Sequence, residues 1–238
     1  FEYWGEDAVA TSPVAIALAG GRGSGDLSSK YLSQAIVDNS LLFRLAFFGA
    51  GKRAELANDA LTAAHKDHLF VSLKTVLTDL PTFFEAGKKA NPAAKLPDPN
   101  FNVGSHYFTA WFVTEANKQH LIINKSGDIQ AVIFKLVQHS PEAGKTLFYY
   151  APKFMTSSKV DKKAVGEALK NITKSTDIES DNYKLDPVES DLLVVGSNGF
   201  FKNMPLGLMT MLINSFMYEF KVSKELLMER LLPYLKVY

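Results

Sequence analysis

The sequence predicts a mixed fold of helices and strands, in the broad α/β class and of the α+β type. In this fold, two packed antiparallel β-sheets are covered by helices. Short apolar runs bounded by glycine or polar turns indicate strands, and two long segments with helical spacing of leucines follow the first of them. The elements follow one another as strand, helices, strands, helices, with no internal repeat. We expect one domain over residues 1–238.

Composition excludes several classes of function. Hydrophobic residues make up 47% of the 238 residues, which is enough for a large core, and 26 basic residues balance 25 acidic ones. This balance gives no global field that would attract nucleic acid or an anionic membrane. The absence of cysteine excludes disulfides, a thiolate nucleophile and cysteine-based metal sites. No apolar run is long enough to predict a membrane span, and because the chain begins at Phe1 we expect it to have been processed or trimmed.

The first half of the chain contains one clear strand and two helices. Residues 13–19 form an apolar run that predicts a buried strand, and the glycine-rich residues 20–25 predict a loop after it. Leucines at helical spacing predict helices over residues 27–48 and 54–80. Residues 85–104 are rich in proline, lysine and alanine and predict a flexible connector.

The second half is first strand-like and then helical. Residues 107–113, 119–123 and 130–137 predict an antiparallel meander, because polar turns separate three apolar runs. Residues 165–172 predict a short helix, and residues 191–197 predict another strand.

The C-terminal part predicts helix and offers a candidate contact surface. Ser223 is a suitable N-cap for a final helix, on which Leu227, Leu231 and Tyr234 share one face. Residues 206–236 are rich in Leu, Met and Phe and could present more apolar surface than two sheets cover. Ordinary packing on the sheets is the competing interpretation.

Four short motifs occur in a fixed order along the chain. They are Gly5-Glu6-Asp7-Ala8, the glycine-rich run 19–23, Ser126-Gly127-Asp128, and the strand with its turn at 191–204. In this order they resemble the motifs of the metal-dependent protein phosphatases, the type 2C Ser/Thr family, and are most similar to its small mitochondrial branch. The resemblance implies a four-layer sandwich of two antiparallel sheets flanked by helices.

The resemblance also implies a centre of two Mg²⁺ or Mn²⁺ ions that activates water, and such ions require carboxylate ligands. Gly20 stands where the family has its bridging aspartate, and Asn198 stands where it has another. No aspartate follows Asp191 to supply the last ligand, and Lys202 stands at a further acidic position. The degenerate metal-site positions are Glu6, Asp7, Gly20, Gly21, Asp128 and Asn198.

The predicted function is therefore a catalytically inactive phosphatase-like protein that acts as a scaffold subunit of a larger protein or ribonucleoprotein assembly. The resemblance places this assembly in the mitochondrion. We expect no catalytic residue and no cofactor. One alternative is a weakly active Mg- or Mn-dependent Ser/Thr phosphatase, with one hydrated ion at Glu6 and Asp7. The other is nucleotide or phosphate binding by residues 20–25, where glycine N–H groups could form an anion nest with Arg22.

The remaining polar residues predict no site. His65 and His68 lie three positions apart on a predicted helix, which indicates a solvated surface in the absence of a third ligand. The runs Lys88-Lys89 and Lys159 to Lys163 predict solvated charge, with RNA contact as the alternative.

Other histidines and the aromatic residues of the predicted meander complete the sequence interpretation. His106, His120 and His139 look incidental. The aromatic residues of the first meander strand predict core packing on both faces of a sheet, and they are Tyr107, Phe108, Trp111 and Phe112.

Overall fold

A computed structural model describes residues 7–12, 14–22, 27–49, 58–92, 104–115, 117–157, 173–219, 226–227 and 229–231. The chain divides into two compact units that are each built from two stretches of sequence. The first comprises Phe1–Ile129 and Lys159–Pro187, and the second comprises Gln130–Ser158 and Val188–Tyr238. Each unit contains one antiparallel sheet with helices, which confirms the predicted α+β class with two antiparallel sheets. The prediction of a single domain stays a prediction.

The first unit contains a five-stranded antiparallel sheet in the order β1-β2-β3-β4-β7. Its strands are β1 (Ala8–Ser12), β2 (Ala15–Arg22), β3 (Gly104–Glu115), β4 (Lys118–Ser126) and β7 (Asp181–Leu185). Helices α1 (Leu27–Gly49) and α2 (Asn58–Ala90) lie between β2 and β3 in sequence, and a 3-10 turn at Ser175–Asp177 precedes β7.

The core of the first unit lies between its helices and one face of the sheet. Leu32 and Ile36 of α1 and Leu69 and Leu73 of α2 are fully buried, and they pack in one cluster with Tyr107 of β3. Trp111 lies in a neighbouring cluster, and Phe108 is also fully buried. Phe112 is partly buried. The prediction of core positions is confirmed for Tyr107, Phe108 and Trp111, whereas Phe112 lies at the margin of the core.

The second unit contains a three-stranded antiparallel sheet in the order β6-β5-β8. Its strands are β5 (Gln130–Glu142), β6 (Lys145–Met155) and β8 (Leu192–Gly196). Two helices follow, α3 (Asn198–Asn203) and α4 (Leu206–Asn214), and α4 continues into a π-helical segment, Ser215–Glu219. Met209, Leu212 and Ile213 of α4 are buried with β5 and β8 residues, so much of the candidate contact surface at 206–236 packs on its own sheet.

Three predictions about the elements were wrong. The meander ends after two strands, because β4 pairs with β3 and β7 whereas β5 pairs with β6 and β8. Helix α2 takes up residues 85–90 of the predicted connector, because Glu, Ala and Lys favour helix there, and it ends where Pro92 disfavours helical geometry at Asn91.

The third concerns the glycine-rich loop. Gly20–Arg22 belong to β2, paired with β3 as far as Gly104, so this stretch is extended and does not form an anion nest. Residues 23–25, the predicted helix at 165–172 and the lysine run at 159–163 lie outside the described residues.

Strands β1, β6 and β7 were not predicted from the sequence. The final helix predicted from Ser223 is described only at residues 226–227 and 229–231, which are helical, and there Leu227 and Leu231 are buried as predicted. Among the described helices, none combines the length and the apolar character that a membrane span requires.

Candidate functional site

The predicted site positions of the first unit lie in one row at the end of its sheet. Ala8 pairs with Ala19, so the continued register places Asp7 opposite Gly20, and Gly20 pairs with His106 of β3. Residues that face each other on antiparallel strands project from the same face of the sheet. Asp7, Gly20 and His106 therefore lie side by side across three strands, as neighbours about 4.8 Å apart in the direction of the hydrogen bonds.

Gly20 and Asp7 are in direct contact. If Gly20 carried a β-carbon, that atom would lie 3.2 Å from Oδ1 of Asp7. Gly20 is buried, whereas Asp7 is exposed. The carboxylate of Asp7 thus occupies the space above the glycine, at the position where the sequence resemblance implies a second carboxylate.

Asp128 is engaged by a histidine that the sequence did not identify. Nδ1 of His106 lies within hydrogen-bond distance of Oδ1 of Asp128, and His106 is only 7% exposed. Nε2 of His106 is buried without a hydrogen-bond partner among the described residues. The prediction that His106 is incidental was therefore wrong, because its buried ring contacts the partly buried carboxylate of one of the predicted metal-site residues.

The turn after β4 is shaped to accept the His106 ring. Gly127 has a φ of +82°, and a β-carbon there would lie 2.2 Å from Cδ2 of His106. Both the left-handed backbone and the space below the ring require glycine at this position. Gly127 consequently lets the imidazole lie across the turn and reach Asp128.

Hydroxyl groups connect this end of the sheet to helix α1. The Ser105 hydroxyl donates to the backbone carbonyl of Gly20 at 3.1 Å, and its oxygen lies 3.0 Å from Oγ of Ser33 on α1. Gly21 pairs with Ser105 in the sheet. These buried contacts fix the backbone at Gly20 and Gly21 while contributing no ligand for a metal ion.

Asn198 belongs to the second unit and follows β8 directly, as predicted. It is the first residue of α3, after Ser197 at the N-cap position, and it is partly buried. Gly196 allows this sharp strand-to-helix turn, because a β-carbon there would lie 2.6 Å from Cδ1 of Phe200. The turn presents an amide where the resemblance implies a carboxylate.

The described carboxylates at the predicted metal-site positions are those of Asp7 and Asp128. Within the described ranges, no group of three or more His, Asp or Glu side chains is arranged to hold a metal ion. The carboxylate of Asp7 stands beside a glycine, and that of Asp128 is bound to His106. Glu6 lies outside the described residues.

The histidine pair on α2 differs from its prediction. His65 is fully buried, with its ring centroid 4.7 Å from that of Trp111 and 5.2 Å from that of Phe43. Burial is the largest cause that lowers the pKa of His65 to about 3, so its imidazole is neutral at physiological pH.

His68 is partly buried and also stacks on Phe43, so a solvated helix surface was the wrong interpretation. A sequence signal did exist, because His65 continues the four-residue spacing of Leu61, Leu69 and Leu73 on the buried face of α2.

Comparison with known proteins finds likeness only at the level of structure. No protein-family model and no curated protein matches the sequence. The serine/threonine phosphatase PstP/Ppp of Mycobacterium tuberculosis matches with a TM-score of 0.50 and 15% identity, over 97% of this chain and 86% of that chain. The catalytic domain of PstP in complex with two manganese ions matches with a TM-score of 0.54 and 13% identity, over 97% of this chain and 84% of that chain. The serine/threonine phosphatase Stp1 from Staphylococcus aureus matches with a TM-score of 0.52 and 11% identity, over 97% of this chain and 83% of that chain.

These similarities extend over nearly the whole chain, but the identities of 11–15% carry no activity from one protein to the other. The chain therefore has the fold of the metal-dependent Ser/Thr protein phosphatases.

Proposed function

We propose that this chain is a phosphatase-fold protein that has lost two-metal hydrolysis and acts as a binding or scaffold subunit. The observation that carries this proposal is the contact between Asp7 and Gly20. At the position where the resemblance implies a bridging aspartate, the chain has no side chain, and a single carboxylate fills the space.

Electrostatics explain why this loss is decisive. Two divalent cations about 4 Å apart repel each other by about 4 kcal/mol even in bulk water, and by more in a protein, so several carboxylates must neutralise them. In the first unit, the described carboxylates at the predicted positions are Asp7 and Asp128. Asn198 offers a neutral carbonyl oxygen, which adds no negative charge.

His106 weakens the case for a metal further. Its Nδ1 lies within hydrogen-bond distance of a carboxylate oxygen of Asp128, in a partly buried contact. A cation at Asp128 would share the carboxylate with the imidazole, whose position is fixed by Gly127. Part of the acceptor capacity of this carboxylate is thus already in use, which leaves less of it for an ion.

The proposal is tested by measuring hydrolysis of a phosphothreonine peptide and of para-nitrophenyl phosphate with MnCl₂, MgCl₂ or EDTA. The expected result is no metal-dependent turnover above the rate without protein. Asp7→Asn and Glu6→Ala serve as matched variants, because each removes one charge from the only acidic pair of the N-terminal motif.

Turnover with Mn²⁺ that disappears in Asp7→Asn would show a surviving phosphatase and overturn the proposal. Turnover that is equal in the original chain and in both variants would identify a contaminating enzyme and leave the proposal standing. The mitochondrial location rests on the resemblance alone, and the membership of a larger protein or ribonucleoprotein assembly rests on the inferred loss of catalysis; both stay predictions. The native mass of the endogenous protein, set against 26.3 kDa for the chain, tests the second of them.

A further inference from the structure

Strand β6 forms one edge of the second sheet, and a side chain already occupies part of this edge. Oδ1 of Asn214 accepts from the Tyr150 backbone N–H at 2.6 Å, and Nδ2 of Asn214 donates to the Tyr150 carbonyl at 2.9 Å. The Asn214 amide thus makes the two hydrogen bonds that a neighbouring strand would make. The backbone groups of Tyr150 therefore point away from β5.

The same edge is open on the other side of Tyr150. Along a strand, backbone groups point to alternate sides, so Phe148 and Thr146 present their N–H and C=O groups outward, as Tyr150 does. Within the part of the chain that the structure describes, nothing hydrogen-bonds to these outward groups. In the opposite direction, Pro152 has no N–H to offer. The available edge is therefore short and lies at Thr146 to Phe148.

Apolar side chains surround this open edge. Leu147, Phe148 and Tyr149 are consecutive and are 57%, 48% and 41% exposed. On the side of α4, Tyr218 is 42% exposed, and its ring centroid lies 6.3 Å from that of Tyr150. An exposed strand edge with large apolar residues on both faces favours pairing with another strand.

The charges of β6 indicate which strand would fit. The strand contains Lys145 and Lys153 and no acidic residue. Lys145 pairs with Glu142 at 2.8 Å, but both side chains are well exposed, so this pair is weak. A second copy of β6 would bring no carboxylate of its own to Lys145, because the strand contains no acidic residue. A strand that carries carboxylates complements Lys145, which flanks the open edge.

We propose that the β6 edge at Thr146 to Phe148 binds an extended segment of a partner protein in which apolar and acidic residues alternate. The added strand would hydrogen-bond to the outward backbone groups, place its apolar side chains on the face of Phe148, and direct its carboxylates toward Lys145 on the opposite face. This inference rests on the binding role proposed above, for which it specifies the surface and the chemistry of the partner.

The test uses the full chain and a labelled synthetic peptide in which Glu alternates with Val and Phe. Binding is measured by fluorescence anisotropy, and amide exchange is followed for individual residues by NMR. The Phe148 amide should exchange rapidly in the free chain and slow down when peptide is added. The Tyr149 amide, which points toward β5, should be protected throughout and provides the internal control.

Thr146→Pro removes one outward N–H without removing a hydrogen bond to β5, and Thr146→Val is its matched control. Loss of one hydrogen bond corresponds to about five-fold weaker binding. We expect this loss for the proline variant and no change for the valine variant. If the proline variant does not fold, a peptide N-methylated at its central residue makes the same test with the unchanged chain.

Three outcomes would overturn the inference. The first is a Phe148 amide that is already protected in the free chain, because the edge would then be covered by another segment or by a second copy. The second is equal binding of a peptide with Lys in place of Glu. The third is unchanged binding after removal of the N–H on either partner. None of these readouts involves hydrolysis. A failure here therefore leaves the proposed loss of metal chemistry untouched, and metal-dependent turnover would leave the β6 result untouched.

Discussion

His65 makes the stability of the first unit depend on pH in a way that one substitution should remove. The ring is fully buried against Trp111 and Phe43, and its Nε2 lies 3.2 Å from Oγ of Ser40. The Ser40 hydroxyl donates to the carbonyl of Ile36 at 2.8 Å, so the imidazole must donate to Ser40 through its Nε2–H. Protonation would add an N–H at Nδ1, which is buried and makes no hydrogen bond in the described part of the chain; nearby Asn124 favours the protonated form, but burial outweighs it and lowers the pKa.

The size and sign of the effect follow from the lowered pKa. In the folded protein the pKa of His65 is about 3, against 6.5 for an ordinary histidine. Between these values the unfolded chain binds a proton that the folded chain does not, so the stabilising contribution is complete above pH 6.5 and falls as pH decreases toward 3. At pH 5 the difference amounts to about 2 kcal/mol of unfolding free energy.

The assay is urea unfolding at intervals from pH 7 to pH 5, followed by far-UV circular dichroism. His65→Phe keeps a ring in the pocket and removes the titrating group, so its unfolding free energy should lose about 2 kcal/mol less over this interval than that of the original chain. His139→Gln, at an exposed position, is the control and should behave like the original chain.

Parallel pH profiles for His65→Phe and the original chain would refute the reasoning. They would mean that His65 titrates equally in the folded and unfolded states, and hence that its ring is hydrated.

The site residues lead to two further predictions. Gly127→Ala should lower the unfolding free energy by at least about 2 kcal/mol more than Gly144→Ala, because both glycines have nearly the same positive φ but only Gly127 faces the His106 ring. Without a divalent cation, Gly20→Asp should lower the unfolding free energy by about 1 kcal/mol, because it adds a carboxylate beside the exposed carboxylate of Asp7. Addition of 5 mM MnCl₂ should raise the melting temperature of this variant more than that of the original chain. Chemical denaturation measures the first effect, and a thermal melt with and without MnCl₂ measures the second.

Each of these predictions has its own control. Equal losses in the two glycine variants would mean that the His106 ring does not lie on the turn. Gly20→Asn has the size of the aspartate without its charge, and an equal response of this variant to MnCl₂ would show that the ion does not bind the introduced carboxylate.

The elements with strong patterns could be predicted, and the weak ones could not. Helices α1 and α2 bury leucines at a regular helical spacing, which is visible in the sequence. Strand β7 has no fully buried residue, so its side chains leave no apolar alternation to detect. Strand β6 carries exposed aromatic residues in succession and contains Pro152, which is typical of an edge and not of a core strand.

The candidate site shows the same division. The interpretation of Gly20 and Asn198 as positions of lost carboxylates depended on the family resemblance, and it stays a prediction. The pairing of His106 with Asp128 depends on strand register, which places His106 opposite Gly127 only when β3 and β4 are aligned from their turn at residues 115–118. The sequence indicated the hairpin of β3 and β4, but its register was not used to place residues opposite each other. The contact between His106 and Asp128 was missed for this reason.

The exchange of strands between sheets after β4 determines how the chain must fold. Neither unit is continuous in sequence, because β7 returns to the first sheet and β8 to the second. The hydrogen bond between Asn124 of β4 and Asn182 of β7 joins residues that are 58 positions apart in sequence. Strand β5 pairs with β8 over a similar separation in sequence. Closing such long loops before the pairing is gained slows folding. A nascent chain that ends before β7 would therefore leave both sheets incomplete. The first sheet is completed only after β7 has been synthesised, and the second only after β8.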